Sequence, residues 1–406
     1  MGDGEKVHFG IHNILLLLFT LLSAPAAAAD ERFIPTRDAV FSPDGKLLAC
    51  SYGGIETPGA LRVWEWRSDK LVLEHNEARG ICSVAFSPAG DSVAFGTFGL
   101  VGKTLDLKSG QVTAEFRGHE GAVRAVAYVS NDILATGSYD KTIRLWNAKS
   151  GKQLARVGEH SDELRSIAVS PDGRYLVSGS KSPDCRLWDL VSMQQVGVYD
   201  SPNLICPQVL FSSTGRYFLG ARWNHQVAIR DADSRALRSR VHLDAIFGIA
   251  LSPDDSFLLG LNDSPYLQVA DLRLGGANDS EKAKLLQLAK LWADDNYKVR
   301  EQASRDVEAI GSVAIPILNR LARMKNAEIR YRAREAREQI TQAPARQIDV
   351  GHERSIYAAG FSPDNVHIAT GDSLGTVKIW KYRTEEVVKT IDSPNVVLAE
   401  QEEATQ

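Results

Sequence analysis

The chain is built mostly from short apolar runs that alternate with polar turns. Runs such as "AVRAVAY", "ILATGS" and "TIRLW" follow one another between Ala122 and Trp146. They are rich in Val, Ile, Thr and aromatic residues, and Gly, Asp, Asn or Ser separates them. Such runs are too short for helices and have the composition of β-strands joined by tight turns. The pattern therefore predicts an all-β fold for most of the chain.

A turn of the form Phe-Ser-Pro-Asp-Gly recurs and defines a repeat. Related segments begin at seven positions, which are Phe41, Phe86, Tyr128, Val169, Phe211, Leu251 and Phe361. The first six are 40 to 45 residues apart, and the last follows after 110 residues. Each unit holds four strand-like runs. One four-stranded unit cannot bury both of its faces alone, so the sequence predicts seven units packed radially, each between two neighbours.

The long interval contains a segment with helical periodicity. Val299, Ala303, Val307 and Ile310 recur every three or four residues, which is the spacing of one helix face. Helices are predicted over residues 280–292, 297–310 and 327–340, with a further short helix that has Pro316 in its first turn. The strand protein is therefore expected to carry a helical insertion.

Three of the units resemble WD40 repeats. "GHEGAVRAVAYVSNDILATGSYDKTIRLWN" at 118–147 carries the resemblance, and the segments at 158–189 and 351–380 share its pattern. The resemblance implies a seven-bladed β-propeller and a hydrogen-bonded chain of His, Ser or Thr, Asp and Trp inside a blade. The matching residues are His119, Ser138, Asp140 and Trp146 in the third unit, His160, Ser180 and Trp188 in the fourth, and His352 and Trp380 in the seventh.

Other positions depart from the WD40 pattern. Ser182 stands where the fourth unit is expected to have Asp, and Asp372 stands where the seventh is expected to have Ser. Leu105 and Arg230 take the Trp position of the second and fifth units. These blades are expected to depend more on packing. The run "EEVVKTI" can supply the outer strand of the seventh blade, so the ring is expected to close without a full strand exchange.

The helical segment is expected to interrupt the sixth blade, between its third and fourth strands. Its helices resemble HEAT-type repeats, and some bacterial exported WD40 proteins are similar, with a like insertion. The predicted organisation is a signal peptide at 1–29, blades one to six over 30–275, the insertion at 276–345, the end of blade six and blade seven over 346–393, and a disordered acidic tail at 394–406.

The first residues have the form of a secretory signal peptide. The apolar run "ILLLLFTLL" is short for a membrane span, and the small residues of "SAPAAAAD" fit cleavage after Ala29. Export to the periplasm or the extracellular space is therefore expected, with no membrane span after cleavage. The alternative is an uncleaved membrane anchor, because Asp3 and Glu5 weaken the positive character of the segment before the run.

Charge is informative mainly within the insertion. The whole chain has a net charge of −4, which does not favour nucleic acid as a partner. The insertion, in contrast, has thirteen basic and ten acidic residues. Its last predicted helix carries a basic run that is a candidate partner-binding surface, with a solvated helix face as the alternative. The basic residues of that helix are Arg330, Arg332, Arg334 and Arg337.

No catalytic signature is present in the sequence. It lacks a phosphate-binding glycine loop and the HExxH and GxSxG motifs, so no cofactor and no metal site is expected. The four cysteines lie within apolar strand patterns, where buried thiols are more common than disulfides, although export leaves disulfides open. They are Cys50, Cys82, Cys185 and Cys206.

One position of the first strand recurs as Arg37, Arg124 and Arg165 in units one, three and four. The equivalent positions of the other units hold Cys82, Pro207, Phe247 and Tyr357. First strands line the channel of a propeller, so the three arginines with Phe247 and Tyr357 would suit a peptide that carries a carboxylate and an apolar group. Salt bridges between blades are the alternative role for these arginines.

The sequence as a whole predicts a protein without enzymatic activity. The expected function is an exported scaffold for protein or peptide partners, with the helical insertion as a second contact surface. The alternative is an exported enzyme or ligand-binding protein that uses the central channel, because a fold does not determine a function.

Overall fold

A computed structural model describes residues 34–200, 206–222, 225–243, 247–272, 279–342 and 345–392. The predicted signal peptide at 1–29 and the predicted acidic tail at 394–406 lie outside the described residues, as does the predicted boundary between 275 and 276.

Twenty-eight strands are described, and they form seven antiparallel sheets of four consecutive strands each. Blade one comprises β1 (Thr36–Phe41), β2 (Leu47–Tyr52), β3 (Gly59–Glu65) and β4 (Lys70–Glu77). Blade two comprises β5 (Ile81–Phe86), β6 (Ser92–Thr97), β7 (Gly102–Asp106) and β8 (Val112–Phe116). Blade three comprises β9 (Val123–Ser130), β10 (Ile133–Ser138), β11 (Thr142–Asn147) and β12 (Gln153–Glu159).

Blade four comprises β13 (Leu164–Val169), β14 (Tyr175–Ser180), β15 (Asp184–Asp189) and β16 (Gln194–Asp200). Blade five comprises β17 (Gln208–Phe211), β18 (Tyr217–Arg222), β19 (Gln226–Asp231) and β20 (Leu237–His242). The sixth sheet comprises β21 (Gly248–Leu251), β22 (Phe257–Leu261), β23 (Tyr266–Asp271) and β24 (Arg346–Asp349). Blade seven comprises β25 (Ile356–Phe361), β26 (His367–Asp372), β27 (Val377–Lys381) and β28 (Glu386–Ile391).

The seven sheets are arranged as a ring. The first strand of each blade contacts the first strand of the next, and β25 contacts β1, so the first strands surround the central axis. Apolar side chains fill the spaces between neighbouring sheets. In one of these layers, Leu61 and Val63 of blade one pack with Phe86 and Phe95 of blade two. The prediction of a seven-bladed propeller is confirmed.

The ring closes through side chains between blades seven and one. Phe41, Leu48 and Trp66 of blade one share an apolar layer with Ile379 and Ile391 of blade seven. All four strands of blade seven are consecutive in the chain, which confirms closure without strand exchange. The seam is reinforced at its edge, where Arg67 pairs with Asp364 at 3.2 Å and Lys389 donates a hydrogen bond to the carbonyl of Trp66 at 2.6 Å.

Four α-helices lie in the chain between β23 and β24. They are α1 (Asp279–Leu291), α2 (Tyr297–Ile310), α3 (Ile315–Leu321) and α4 (Ala327–Gln342), with a 3₁₀ turn over Gly311–Ala314. The predicted helices agree with these bounds to within two residues. Asn296 caps α2 by accepting a hydrogen bond from the Lys298 amide, and Gly311, with φ 76°, ends the helix. β23 and β24 pair directly, with Val269 opposite Arg346.

The helices have an apolar core of their own. Trp292, Ala303, Val307, Leu318 and Ala336 are all buried in one cluster, and every member of that cluster comes from the helical segment. The segment meets the ring where α4 packs beside β20, the outer strand of blade five. None of the described helices is both long and apolar enough to cross a bilayer.

A hydrogen-bonded chain crosses blade three, but its hydroxyl group comes from Thr136 and not from Ser138. The Thr136 hydroxyl accepts from the Trp146 indole N–H at 2.7 Å and lies 2.7 Å from Nε2 of His119. His119 Nδ1 lies 2.7 Å from the Asp140 carboxylate. A neutral His119 that accepts from Thr136 and donates to Asp140 therefore gives every proton in the chain an acceptor.

The choice of Ser138 was wrong because side chains two residues apart share one face of a strand. Leu134 is the residue that pairs with Trp146. Thr136 lies two residues after Leu134 on the same face of the strand, and Ser138 lies four residues after it and is therefore farther from Trp146. The Ser138 hydroxyl instead donates to the Gly121 carbonyl at 3.1 Å. It also accepts from the backbone amide of Asp140 at 3.0 Å, and so holds the turn that carries the carboxylate.

The same shift of two residues applies to blade four. Ser178, not Ser180, links Trp188 and His160, at 2.8 and 2.7 Å. Ser182 stands at the position of Asp140, as predicted. Asp184, two residues later, places a carboxylate oxygen 3.6 Å from Nδ1 of His160, which has no hydrogen-bond partner among the described residues. Ser182 bridges Ser180 and Asp184 by hydrogen bonds.

Blade seven has the His, hydroxyl and carboxylate members of the chain as well. His352 contacts Thr370 and Asp372, both at 2.9 Å, so Asp372 stands at the position of Ser138, as predicted, and also supplies the carboxylate of the chain. Trp380 is fully buried, and its indole N–H has no acceptor among the described residues. In blade two, Leu105 fills the Trp position and is fully buried. In blade five, Arg230 extends over the ring of Tyr199 at 4.6 Å.

The Thr136→Val variant tests the corrected chain. The change keeps the side-chain volume but leaves the Trp146 indole and His119 without their shared partner, so it is expected to lower the free energy of unfolding by about 1–3 kcal/mol. Thr113→Val on the exposed outer strand of blade two is the matched control and is expected to have little effect. Urea unfolding measures both, and equal stability of the two variants would contradict this assignment.

Deletion of the helical segment tests whether the ring is independent of it. Because the helices bury a core of their own, replacement of residues 276–345 by a short Gly-Ser turn is expected to leave a ring that unfolds cooperatively. Circular dichroism and calorimetry on the shortened chain measure this. A chain that no longer unfolds in one cooperative transition would show that the ring depends on the helices.

Candidate functional site

The axis of the ring contains a cavity of about 510 Å³. All seven residues that the repeat aligns at one position of the first strand line it: Arg37, Cys82, Arg124, Arg165, Pro207, Phe247 and Tyr357. The five candidate partner-binding residues of the channel are therefore brought together. The repeat accounts for this, because each blade places the same strand position toward the axis.

Two of the arginines are held beside the ring of Phe98. The guanidinium carbons of Arg37 and Arg124 lie 5.8 and 5.6 Å from its centroid. Arg37 donates from Nε to the Gly53 carbonyl at 2.6 Å, and Arg124 donates from Nη1 to the Cys82 carbonyl at 2.9 Å. Backbone acceptors thus fix part of each guanidinium group, while Nε of Arg124 is buried and has no hydrogen-bond partner among the described residues.

Aromatic and cationic side chains continue around the mouth of the cavity. On one side, Tyr357 lies 5.8 Å from the guanidinium of Arg37 and packs edge-to-face on Phe247, with 4.6 Å between the ring centroids. On the other side, Arg165 and Lys181 lie 5.2 and 5.9 Å from the ring of Tyr139. The result is an arc in which apolar surface alternates with positive charge.

Phe98, Tyr139 and Lys181 were not found by sequence reasoning, although the repeat contains the signal. Each directly follows the second strand of its blade. In all three blades the amide of this residue donates to a carbonyl just before the first strand: Gly80 for Phe98, Ala122 for Tyr139 and Glu163 for Lys181, at 2.9 Å. This hydrogen bond directs the residue toward the axis, so alignment of the second strands would have revealed the three side chains.

The predicted salt bridges between blades are mostly not present at this site. Arg165 lies 3.9 Å from Glu163 of its own blade, and Lys181 lies 2.7 Å from the same carboxylate. Arg37 and Arg124 have no salt bridge within 4 Å among the described residues; their hydrogen bonds go to backbone carbonyls of blades one and two. These two arginines therefore keep their charge available inside the channel.

The electrostatics of the cavity are dominated by positive charge. Burial, followed by repulsion from Arg124, lowers the pKa of Arg37 from its ordinary value. Asp38 is the one acidic residue among the described residues of the lining. Burial raises the pKa of Asp38 to about 6, against the effect of hydrogen bonds from the backbone amides of Val84 and Ala39. An anion in the cavity would relieve the repulsion between the guanidinium groups.

The basic run of the insertion is not a single exposed surface. Arg332 is 6% exposed and bonds to Glu328 at 2.6 Å and Glu301 at 2.9 Å, so its assignment as a partner-binding residue was wrong. It lies on the buried face of α4 with Ala336, one turn away, and its charge is paired with the partly exposed Glu328 and Glu301 of the helical segment. Arg330 donates to the carbonyls of the loop before α4.

Two arginines of that run remain toward solvent. Arg334 and Arg337 are exposed, and Arg337 donates a hydrogen bond to the Asn319 side chain at 3.2 Å. The four cysteines are buried and none of them is in a disulfide. Within the described residues, no three His, Cys, Asp or Glu side chains are grouped as metal ligands would be.

The profile of the WD domain, G-beta repeat, family matches three segments of the chain, at 110–147, 151–189 and 345–381. Each match begins near the outermost strand of one sheet and ends with the third strand of the next. The middle strands and the hydrogen-bonded His of blades three, four and seven lie within these segments. The sequence-based expectation of WD40 repeats is confirmed.

Curated relatives share this repeat at low identity. The nuclear distribution protein PAC1 of Arthroderma benhamiae is 23% identical over 292 residues, which cover 62% of this chain and 63% of that protein. The ribosome biogenesis protein YTM1 of Vanderwaltozyma polyspora is 23% identical over 320 residues, 74% of this chain and 65% of that protein. The small ribosomal subunit protein RACK1y of Oryza sativa is 32% identical over 121 residues, 29% of this chain and 35% of that protein.

The chain thus matches somewhat less than two thirds of the length of the first two relatives. The architecture is established by the repeats, the sheet order and the profile matches together. This chain is a seven-bladed β-propeller that carries WD40 repeats.

Proposed function

We propose that this protein is a scaffold without enzymatic activity that binds protein partners through the mouth of its central channel. The single observation that carries the proposal is the arc of arginines and aromatic rings around the axis. The curated relatives are named for nuclear distribution and ribosome biogenesis and not for a catalysed reaction, which supports a role in protein interaction.

The ligand that fits the arc is a peptide segment with a carboxylate next to an aromatic or aliphatic side chain. Arg37 and Arg124 offer planar donors that suit a carboxylate, and their positions are fixed by backbone carbonyls before any ligand binds. Phe247, 39% exposed, and Tyr357 offer an apolar wall beside them. Aromatic and arginine residues at the centre of a contact surface commonly supply most of its binding energy.

The proposal includes export and a second contact surface. The apolar run and the small residues that end at Ala29 support an exported protein with Asp30 as its first residue, which N-terminal sequencing of the exported protein would check. We also place the helices as an insertion of HEAT type in the sixth blade. The pairing of β23 with β24 and the profile match that resumes at residue 345 support that placement.

Arg124→Gln tests the channel as the binding site. The probe is a fluorescent peptide that ends in Phe-Glu with a free carboxylate, and its anisotropy reports binding. Loss of a half-buried charge that faces the carboxylate is expected to weaken binding about tenfold or more. Arg117→Gln, on an exposed arginine after the outer strand of blade two, is the matched control and is expected to leave the affinity unchanged.

Thermal melts of both variants check that the ring is intact, and Arg37→Gln serves as a second channel variant. Equal affinity of the channel variants and the control would refute the channel as the site. The peptide with an amidated C-terminus and Gln in place of Glu tests the carboxylate itself, and unchanged binding of that peptide would refute the ligand class.

Peptide binding is expected to strengthen as the pH falls from 7 to 5. The pKa of Asp38 is raised to about 6, so its carboxyl gains a proton in this range and its negative charge near Arg124 disappears. A peptide carboxylate with an ordinary pKa of about 4 stays ionised. Removal of roughly 1 kcal/mol of repulsion corresponds to a gain of about fivefold in affinity. Asp38→Asn is expected to give a flat profile, and an unchanged affinity of the parent protein across this range would be inconsistent with the arrangement.

A further inference from the structure

A second basic site lies at the rim, between blade five and the helical segment. A groove of about 850 Å³ runs along the outer strand of blade five, where all six residues of β20 line it. The opposite wall comes from α3, the loop after it and α4, through Ile315, Asn319, Arg323 and Arg337. Neither the ring nor the helical segment forms this groove alone.

The charged side chains among the described residues of the groove lining are all basic. Arg238 and Arg240 come from the ring, Arg323 and Arg337 come from the helical segment, and none of the described residues that line the groove is Asp or Glu. Arg240 and Arg323 are exposed and lie on opposite walls of the groove, so an anion placed between them is attracted by both.

Two of the four arginines are positioned by neighbours. Arg238 donates to the Tyr217 hydroxyl at 2.8 Å and extends over that ring, with its guanidinium carbon 4.7 Å from the centroid. Arg337 donates to Asn319 at 3.2 Å. Arg240 and Arg323 are exposed. The groove therefore combines two arginines in fixed positions with two that can adjust to a ligand.

We propose that this groove binds an extended acidic segment of a protein partner and that the segment bridges the ring and the helices. β20 is the last strand of its sheet, so the backbone groups on its outer edge have no strand partner among the described strands. A peptide laid along this edge can use backbone hydrogen bonds and place alternate acidic side chains near Arg238 and Arg240. The net charge of −4 for the whole chain disfavours a long polyanion or an anionic membrane in the same place.

The test uses the full chain and a fluorescent peptide of alternating Glu and Ser, with its Gln-for-Glu counterpart as the neutral probe. The groove variant is Arg240→Glu with Arg323→Glu, one change on each wall. The matched control is Arg320→Glu with Arg334→Glu, which makes the same change in net charge at two exposed arginines of the helical segment outside the groove lining. Anisotropy is measured at several salt concentrations.

The expected result is a loss of about tenfold or more in affinity for the groove variant, a much smaller loss for the control, and a weaker salt dependence in the groove variant. Arg124→Gln in the channel is expected to keep its affinity for this probe, which separates this site from the channel site. Thermal melts verify folding, and Arg240→Gln with Arg323→Gln replaces the groove variant if the reversal unfolds the chain.

Three results would overturn the proposal. The first is an equal loss in the groove and control variants, which would indicate general attraction to a basic surface. The second is equal binding of the neutral probe. The third is binding of the parent protein to vesicles with anionic lipids that the groove variant abolishes while peptide binding persists, which would assign the groove to a membrane surface.

Discussion

Each blade has two apolar faces, and only a neighbouring blade on either side can bury both of them. In blade three, one face places Leu134 and Trp146 against Ala94 and Phe116 of blade two, and the other places Ile143 and Leu145 among residues of blade four. A row of such sheets ends with two bare faces unless it closes on itself. Closure into a ring therefore removes the last exposed apolar faces, and the other features of the molecule follow from that geometry.

Closure also creates the axial cavity. Because every first strand faces the axis, one position per repeat contributes seven residues to the lining of the channel, with Arg37, Arg124 and Arg165 on one arc and Phe247 with Tyr357 on another. The outer strands face away from the axis and are free to meet added elements. The helical segment uses this freedom at β20 of blade five. The axial cavity and the groove at the rim are thus both lined by basic residues. The repeat places the basic residues of the cavity, whereas the helical segment supplies one wall of the groove.

Sequence periodicity predicted the features that depend on local spacing. The seven units, the limits of α2 and the residues that converge on the axis all follow from a pattern within one repeat or one helix. The hydroxyl of the blade network was missed by two residues, because Thr136 and Ser138 share a face and only the strand register distinguishes them. Arg332 was misassigned because a charge run does not reveal that one member falls on the buried face of the helix. The meeting of Arg240 with Arg323 could not be predicted, since it depends on how the helical segment packs on the ring.

The seam between blades seven and one differs from the other six junctions. Elsewhere, neighbouring blades are joined by the polypeptide as well as by packing. Among the described residues, the seam is held by side-chain contacts, which include an apolar layer around Phe41 and Trp66, the Arg67–Asp364 pair and the bond from Lys389. If the propeller opens without unfolding, it opens at this junction, with the other six acting as hinges, and the axial cavity would then be accessible from the side as well as from its mouth.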